Sequence, residues 1–299
     1  MPGGGSVRAI RDRIKSVRST AKVTRAMELV AASKMRRAQD RALASRPYAE
    51  RMTAVLAQLA SVTGAGDGEA LHPLLEQRAV QRMSYIHITS DRGLAGGLNA
   101  NMNRAGATLL LRHQPSVAAI TVIPVGRKGR DFFARSGMPL AAEFTELGDF
   151  PDFETIRPIA KIVMDDFLSG AVDQVFLGYQ RFVNAGVQRP TTRQSLPIIP
   201  PEAVPGAAAA KSVDFIFEPS PERLLETLLP RYVEMQVYAA ILEARASEQS
   251  ARMVAMHQAT DAANDMVGAL TLVYNKARQE SITGELLDIV GGVAALEAK

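Results

Sequence analysis

The stretch MHQATDAANDMVGALTLVYNKA, residues 256–277, carries apolar side chains at Met256, Ala259, Ala263, Met266, Leu270, Val273 and Ala277. The steps alternate three and four, the spacing of a coiled-coil seam rather than of a broad surface-helix face. A seam of this kind needs a second helix to close on. The surrounding text reads as helix from Ser220 to about Ile289, with Pro221 suited to a first turn and Pro230 expected to kink or restart it.

The opposite end of the chain offers the partner. Residues 6–45 contain neither Gly nor Pro and are rich in Ala, Arg, Lys and Met, all good helix formers. Ser6 is placed to cap this helix, and Ile10, Ile14, Val17 and Ala21 form a stripe along it. A second stripe, Val23, Met27, Val30, Met35 and Ala38, is expected to continue the first with some drift. Pro47 is expected to kink the helix, with more helix from Tyr48 to Val62. Forty helical residues span about 60 Å, longer than a compact domain of this size, so such a helix projects or pairs with another. An antiparallel coiled coil of the two termini satisfies both patterns.

Between the termini the text changes. A Gly-rich linker (63–73) leads to a strand, Met83 to Thr89, then the turn SDRGLAGGLN (90–99), a helix, Ala100 to Arg112, and a strand, Ala118 to Val125. Strand, Gly-rich turn, helix, strand is the signature of a parallel sheet. Helices are expected at Lys128–Ser136 and Phe153–Leu168, and strands at Asp173–Val183, Thr191–Ile199 and Val213–Phe217, the last two bracketing a Pro/Ala-rich loop. The fold class that follows is α/β: a long antiparallel coiled coil of the N- and C-terminal helices plus a central Rossmann-like α/β domain. The expected boundaries are 1–62, 76–218 and 219–299.

Composition narrows the function classes. With 47% hydrophobic and 22% charged residues this is an ordinary globular chain, and no apolar run approaches the roughly 18–20 residues of a membrane span. The opening MPGGGSVRAI lacks the apolar core of a secretory signal. There is no cysteine, which excludes disulfides, thiolate catalysis and Cys-based zinc sites. The four histidines, His72, His87, His113 and His257, are scattered and read as surface or packing residues, so neither metal nor cofactor is expected. Residues 1–51 hold 13 basic and 4 acidic side chains, net +9, against +4 for the whole chain. Such an end suits an acidic partner: nucleic acid, lipid headgroups or a carboxylate-rich protein surface.

No catalytic constellation emerges. The 90–99 turn sits where a dinucleotide loop would sit, but it is neither G-x-G-x-x-G nor a Walker loop. Phosphate binding at the start of the Ala100 helix is physically possible; the simpler reading is a tight turn with close helix–sheet packing. Asp165 and Asp166 read as the solvated end of a helix. Tyr48 is the basic segment's only aromatic neighbour, which leaves little for base stacking. An α/β nucleotide-binding enzyme and a basic coiled-coil nucleic-acid-binding protein remain as alternatives at this level.

Three blocks carry a resemblance: IRDRIKSV…KVTRAMELVAASKMRRAQ (10–39), TSDRGLAGGLN (89–99) and NKARQESITGELLDIVGG (275–292). In this order, over essentially the whole chain, they resemble the gamma subunit of F-type ATP synthases. Val293 and Gly284 depart from the family's usual residues, and the cysteine pair of chloroplast-type relatives is absent, which removes their redox switch. The resemblance implies a rotor subunit, itself non-catalytic. Its partners are the hexamer of alpha and beta subunits, the epsilon subunit and the membrane ring of c subunits, on the cytoplasmic side of a bacterial plasma membrane. It also implies that Lys22, Arg25 and Met27 face an acidic lever of the beta subunit, and that Arg252, Gln279 and Thr283 meet a beta-subunit catch loop.

Overall fold

The computed structural model describes residues 3–62, 72–199 and 221–297. In chain order the elements are α1 (Gly3–Val62), a 3-10 turn (Pro73–Leu75), β1 (Arg82–Ile88), α2 (Leu98–His113), β2 (Ala119–Val125), α3 (Arg127–Arg135), α4 (Phe153–Leu168), β3 (Gln174–Asn184), β4 (Val187–Leu196) and α5 (Pro221–Glu297). Two long terminal helices flanking a small α/β sheet are the expected class. The expected strand at 213–217 and the loop before it lie outside the described residues.

Both long helices outrun their expected limits. α1 begins at Gly3, ahead of Ser6, and continues through Pro47; α5 passes Pro230 and reaches Glu297. A mid-helix proline removes one hydrogen bond and costs about 3 kcal/mol, but Leu225, Leu229, Val233 and Val237 are buried on one continuous face across Pro230. Packing of that face outweighs the local penalty.

The sheet has the order β2-β1-β3-β4. β1 is parallel to both neighbours, with Arg82 opposite Ala119 and Met83 opposite Gln174. β1 is buried on both faces from Met83 to Ile88, as a central parallel strand must be. β4 is antiparallel to β3, Val175 facing Leu196. The expectation of a parallel sheet therefore holds for three strands, and a two-residue connection at Ala185–Gly186 folds the fourth back as a hairpin. Gly178 is needed for the fit: a Cβ there would lie 2.0 Å from the Tyr85 hydroxyl.

The chain divides into two compact units, Met1–Ala31 with Met253–Lys299, and Ala32–Arg252. In the second, the larger cluster gathers Ile86, Ile123, Leu177, the inner face of α4 (Ile156, Ile159, Val163, Phe167) and α5 residues Leu225 to Ala244. A smaller one joins Met83, Tyr85, Leu110, Val122 and Phe133 on the opposite side of β1. Beyond Ala244, α5 stays buried although its sequence turns polar. The reason is β3, which outruns its pairing with β1 at Gly178. Glu243 accepts from Phe182 N (3.2 Å), Ser247 donates to the Gln180 carbonyl (2.9 Å), and Ser250 donates to the Ala185 carbonyl (2.6 Å). α5 thus satisfies backbone groups that the sheet leaves open.

Candidate functional site: the paired helices and the glycine-rich turn

In the first unit the inward side chains of α1 are Val7, Ile10, Ile14, Val17, Ala21, Thr24, Glu28 and Ala31, in strict alternation of three and four. The first apolar stripe was legible. The second is corrected in part: Val23 and Val30 are exposed and the seam runs instead through Thr24 and Glu28, while Met27 and Met35 are half-buried and Ala38 is buried. On α5 the seam is Met256, Thr260, Ala263, Val267, Leu270, Tyr274 and Ala277. Met256, Ala263, Leu270 and Ala277 are shared with the expected run. The alternate positions fall one residue later, leaving Met266 (48%) and Val273 (52%) exposed.

Polar pairing explains the shift. The Thr24 and Thr260 hydroxyls stand 2.7 Å apart, each also within reach of a carbonyl in its own helix, Ala21 O at 3.1 Å and Met256 O at 2.8 Å. Glu28 binds Arg25 at 2.8 Å and lies 3.3 Å from His257, whose other ring nitrogen is 3.5 Å from Asp261. Thr24 opposite Thr260 and Glu28 opposite His257 make the pair antiparallel. Small seam residues bring the helices close, and hydroxyls that find partners in each other and in their own helices can be buried.

The outer surface of this unit is cationic at one part and apolar at another. Arg8, Arg11, Lys15, Arg18, Lys22 and Arg278 line a groove of about 1090 Å³ between the helices. Among the described residues, Arg25 is the one α1 cation of this unit with an ion pair. Farther along α5, Ile282, Leu286, Leu287, Ile289, Val290 and Val293 are all exposed. The sequence reading missed this patch, although apolar letters at 286, 287, 289, 290 and 293 exceed what one seam can use.

The structure places Lys22 and Arg25 exposed on α1, with Met27 partly buried beside the seam. Gln279 and Thr283 are both exposed, one turn apart on α5 and hence on one face. Arg252 belongs to the other unit. Its guanidinium binds Glu248 at 2.8 Å and the Gly93 carbonyl at 3.2 Å.

Gly93 lies in the glycine-rich turn, which is held from several sides. Ser90 N donates to Asn99 Oδ1 (3.1 Å) and Ser90 Oγ to the Arg92 carbonyl (2.6 Å). The first amides of α3 are also taken: Arg127 N donates to Asp91 Oδ1 (3.0 Å), Lys128 N to the Ser90 carbonyl (3.1 Å) and Gly129 N to Thr89 Oγ1 (2.8 Å). An anionic ligand at the amino end of α3 needs those donors free; there the chain's own Asp91 carboxylate occupies the place. At the amino end of α2 Leu98 N donates to the Ala95 carbonyl (3.3 Å), and the cap, Gly97, brings no side chain. Gly126 makes the approach possible, since at φ +106° a Cβ would lie 2.2 Å from the Thr89 carbonyl oxygen.

The histidines are packing or surface residues. His87 is fully buried, 2.8 Å from Asn103 Oδ1 and 3.3 Å from the Tyr85 hydroxyl. Burial lowers its pKa to about 4, so the ring is neutral at neutral pH. His72 accepts from Leu74 N at 3.1 Å and His113 contacts the Leu109 carbonyl at 3.0 Å. Among the described residues no cluster of His, Asp or Glu is placed to hold a metal, and no helix is long and apolar enough to cross a membrane.

Comparison with known proteins agrees with this arrangement. The ATP synthase family profile matches residues 6–296. The chain is 54% identical to the ATP synthase gamma chain of Dehalococcoides mccartyi, over 97% of this chain and 99% of that one. It is 49% identical to that of Roseiflexus castenholzii, over 97% and 98%. Among solved structures, a chain from the Tetrahymena thermophila mitochondrial ATP synthase central stalk and c-ring matches at a TM-score of 0.57 and 26% identity, covering 79% of this chain and 99% of that one. A chain from the Euglena gracilis mitochondrial ATP synthase shares the fold at a TM-score of 0.65 and 20% identity, over 99% and 96%. This chain belongs to the ATP synthase gamma-chain family.

Proposed function

We propose that this chain is the central-stalk rotor subunit of an F-type ATP synthase, transmitting torque between a proton-driven ring of c subunits and the catalytic hexamer of alpha and beta subunits, with epsilon alongside. It performs no catalysis itself and works on the cytoplasmic side of the bacterial plasma membrane, held there by the complex. The observation that carries this reading is the surface of the paired-helix unit. Six large apolar side chains near the end of α5 and a row of unpaired α1 cations suit enclosure by a protein sleeve with acidic walls. The glycine-rich turn is neither a dinucleotide fingerprint nor a Walker loop, which speaks against a nucleotide-binding enzyme.

In this reading residues 1–62 and 219–299 act as the coiled-coil shaft and 76–218 as the central α/β domain. Lys22, Arg25 and Met27 face an acidic lever on beta, and Gln279 and Thr283 meet its catch loop; Arg252 lies about 40 Å away along the same helix and is engaged by Glu248 and the Gly93 carbonyl instead. Exposed ion pairs are worth only about 0–1 kcal/mol each, so torque passes by stiffness and asymmetric shape rather than by strong individual bonds. Co-purification tests the assignment: a stoichiometric complex with alpha and beta subunits is expected, and its absence refutes the reading. Within that complex, Met27→Lys lowers ATP-driven proton pumping per ATP hydrolysed, and Gln279→Ala with Thr283→Ala weakens assembly or hydrolysis while the isolated chain stays folded. Unchanged coupling and assembly in these variants would remove the assigned contacts.

A further inference from the structure

Inside the α/β unit four charged side chains are shut away together between α5 and the glycine-rich turn. The Arg245 side chain is only 8% exposed, yet its guanidinium reaches Glu248 Oε2 at 2.8 Å and Asp91 Oδ2 at 3.5 Å. Glu248, 7% exposed, uses its other oxygen to accept from Arg252 at 2.8 Å. The same Arg252 nitrogen donates to the Gly93 carbonyl at 3.2 Å. Asp91 completes its own set by accepting from Arg127 N at 3.0 Å. The connections leave the turn at Asp91, pass through three α5 side chains and return to the turn at Gly93. The ring holds two positive and two negative groups, so it is balanced.

Apolar residues of similar volume would hold these elements together at least as well, because desolvating charges offsets most of their attraction. What the charged ring adds is direction. An apolar contact tolerates sliding and rotation; charge-assisted hydrogen bonds at fixed angles do not. Positions 245, 248 and 252 lie along one line of α5, so both the rotation of the helix and its axial position are set against the turn. We propose that Arg245 is a positioning residue for torque transfer: beyond Ala244, where the apolar packing of α5 ends, it extends the grip of the α/β unit on the helix to Arg252, where the helix leaves that unit. The inference rests on the rotor reading above, and goes beyond it by naming an internal contact that keeps α5 in register where it leaves the α/β unit.

The test uses the complete complex in sealed vesicles, reading ATP hydrolysis and ATP-driven proton uptake together. Arg245→Met keeps the volume and removes the ring's centre. Asp91→Asn keeps an acceptor for Arg127 N and removes only the charge facing Arg245. Both are expected to leave the melting temperature of the isolated chain within a few degrees of the parent and hydrolysis within twofold, while proton uptake per ATP falls at least threefold. Arg245→Lys restores most of it. Should Arg245→Met fail to assemble, Asp91→Asn carries the test. Uptake per ATP equal to the parent in whichever of the two assembles overturns the inference while leaving the rotor reading intact. A parent complex that does not pump overturns the rotor reading and this inference with it.

Discussion

In the α/β unit the side chains sealed from water are large: Tyr85, Met83, Ile86, Phe133, Phe167. In the paired-helix unit they are mostly small, Ala21, Thr24, Ala31, Thr260 and Ala263 beside Ile14 and Met256, and large ones such as Leu272, Leu286, Leu287 and Ile289 lie outside. One unit keeps its apolar area for itself. The other leaves much of it on offer, which a lone folded domain does not do without reason. The contrast separates where stability resides from where partners are met. It also explains why a seam of alanine and threonine suffices: close approach and a defined register matter more there than burial energy.

The sharpest way to break this contrast is to empty the dense side. Phe167→Ala removes a fully buried ring from the larger cluster and is expected to destabilise the chain by about 3–5 kcal/mol, measured by urea unfolding followed through tyrosine fluorescence. A loss below about 1 kcal/mol would mean that this core does not carry the stability.

Acid attacks the same side through His87, whose folded pKa of about 4 lies below its ordinary value. Between those two values the unfolded chain binds a proton that the folded chain refuses. The penalty is absent near neutral pH, grows as pH falls below about 6.5 and levels off near 4. Its full size is about 3 kcal/mol. His87→Gln removes that share of the pH dependence; an unaltered slope between pH 7 and 4.5 would show that the ring is not held neutral.

Smaller effects sharpen the other side. Thr24→Ala breaks the hydroxyl pair with Thr260 and is expected to cost about 1 kcal/mol, read as faster amide exchange in α5 around Thr260. Thr24→Val with Thr260→Val should recover most of it, and equal losses in both variants would argue against pairing. Smallest of all, Leu286→Ser with Leu287→Ser should change stability by no more than about 0.5 kcal/mol, yet prevent capture of the alpha and beta subunits. Loss of stability comparable to Phe167→Ala would place these leucines in a core.

Periodic apolar residues made most of the fold legible. α4 was read to the residue, and β1, α2, β2 and α3 to within about two. Where the reading drifted, the cause was chemical. Thr24, Glu28 and Thr260 are polar letters, so the seam vanished at them, although paired hydroxyls and a tethered carboxylate bury readily. The buried run from Arg245 to Ser250 looks solvated for the same reason: its polar groups serve β3 and the turn, and such partners are distant in sequence. Pro230 misled in the opposite direction, because its local penalty is visible in sequence and the packed face that overrides it is not. The contact positions Gln279 and Thr283 came from motif resemblance; nothing in their spacing marks them.

The exposed end of α5 also bears on the life of the molecule before assembly. From Ile282 to Val293 it displays the kind of surface that chaperones hold and proteases sample. A copy made without enough neighbours is therefore an orphan with a short lifetime, and production of the chain has to keep pace with the subunits that cover it. The feature that suits the shaft to its sleeve makes the unassembled subunit a quality-control substrate.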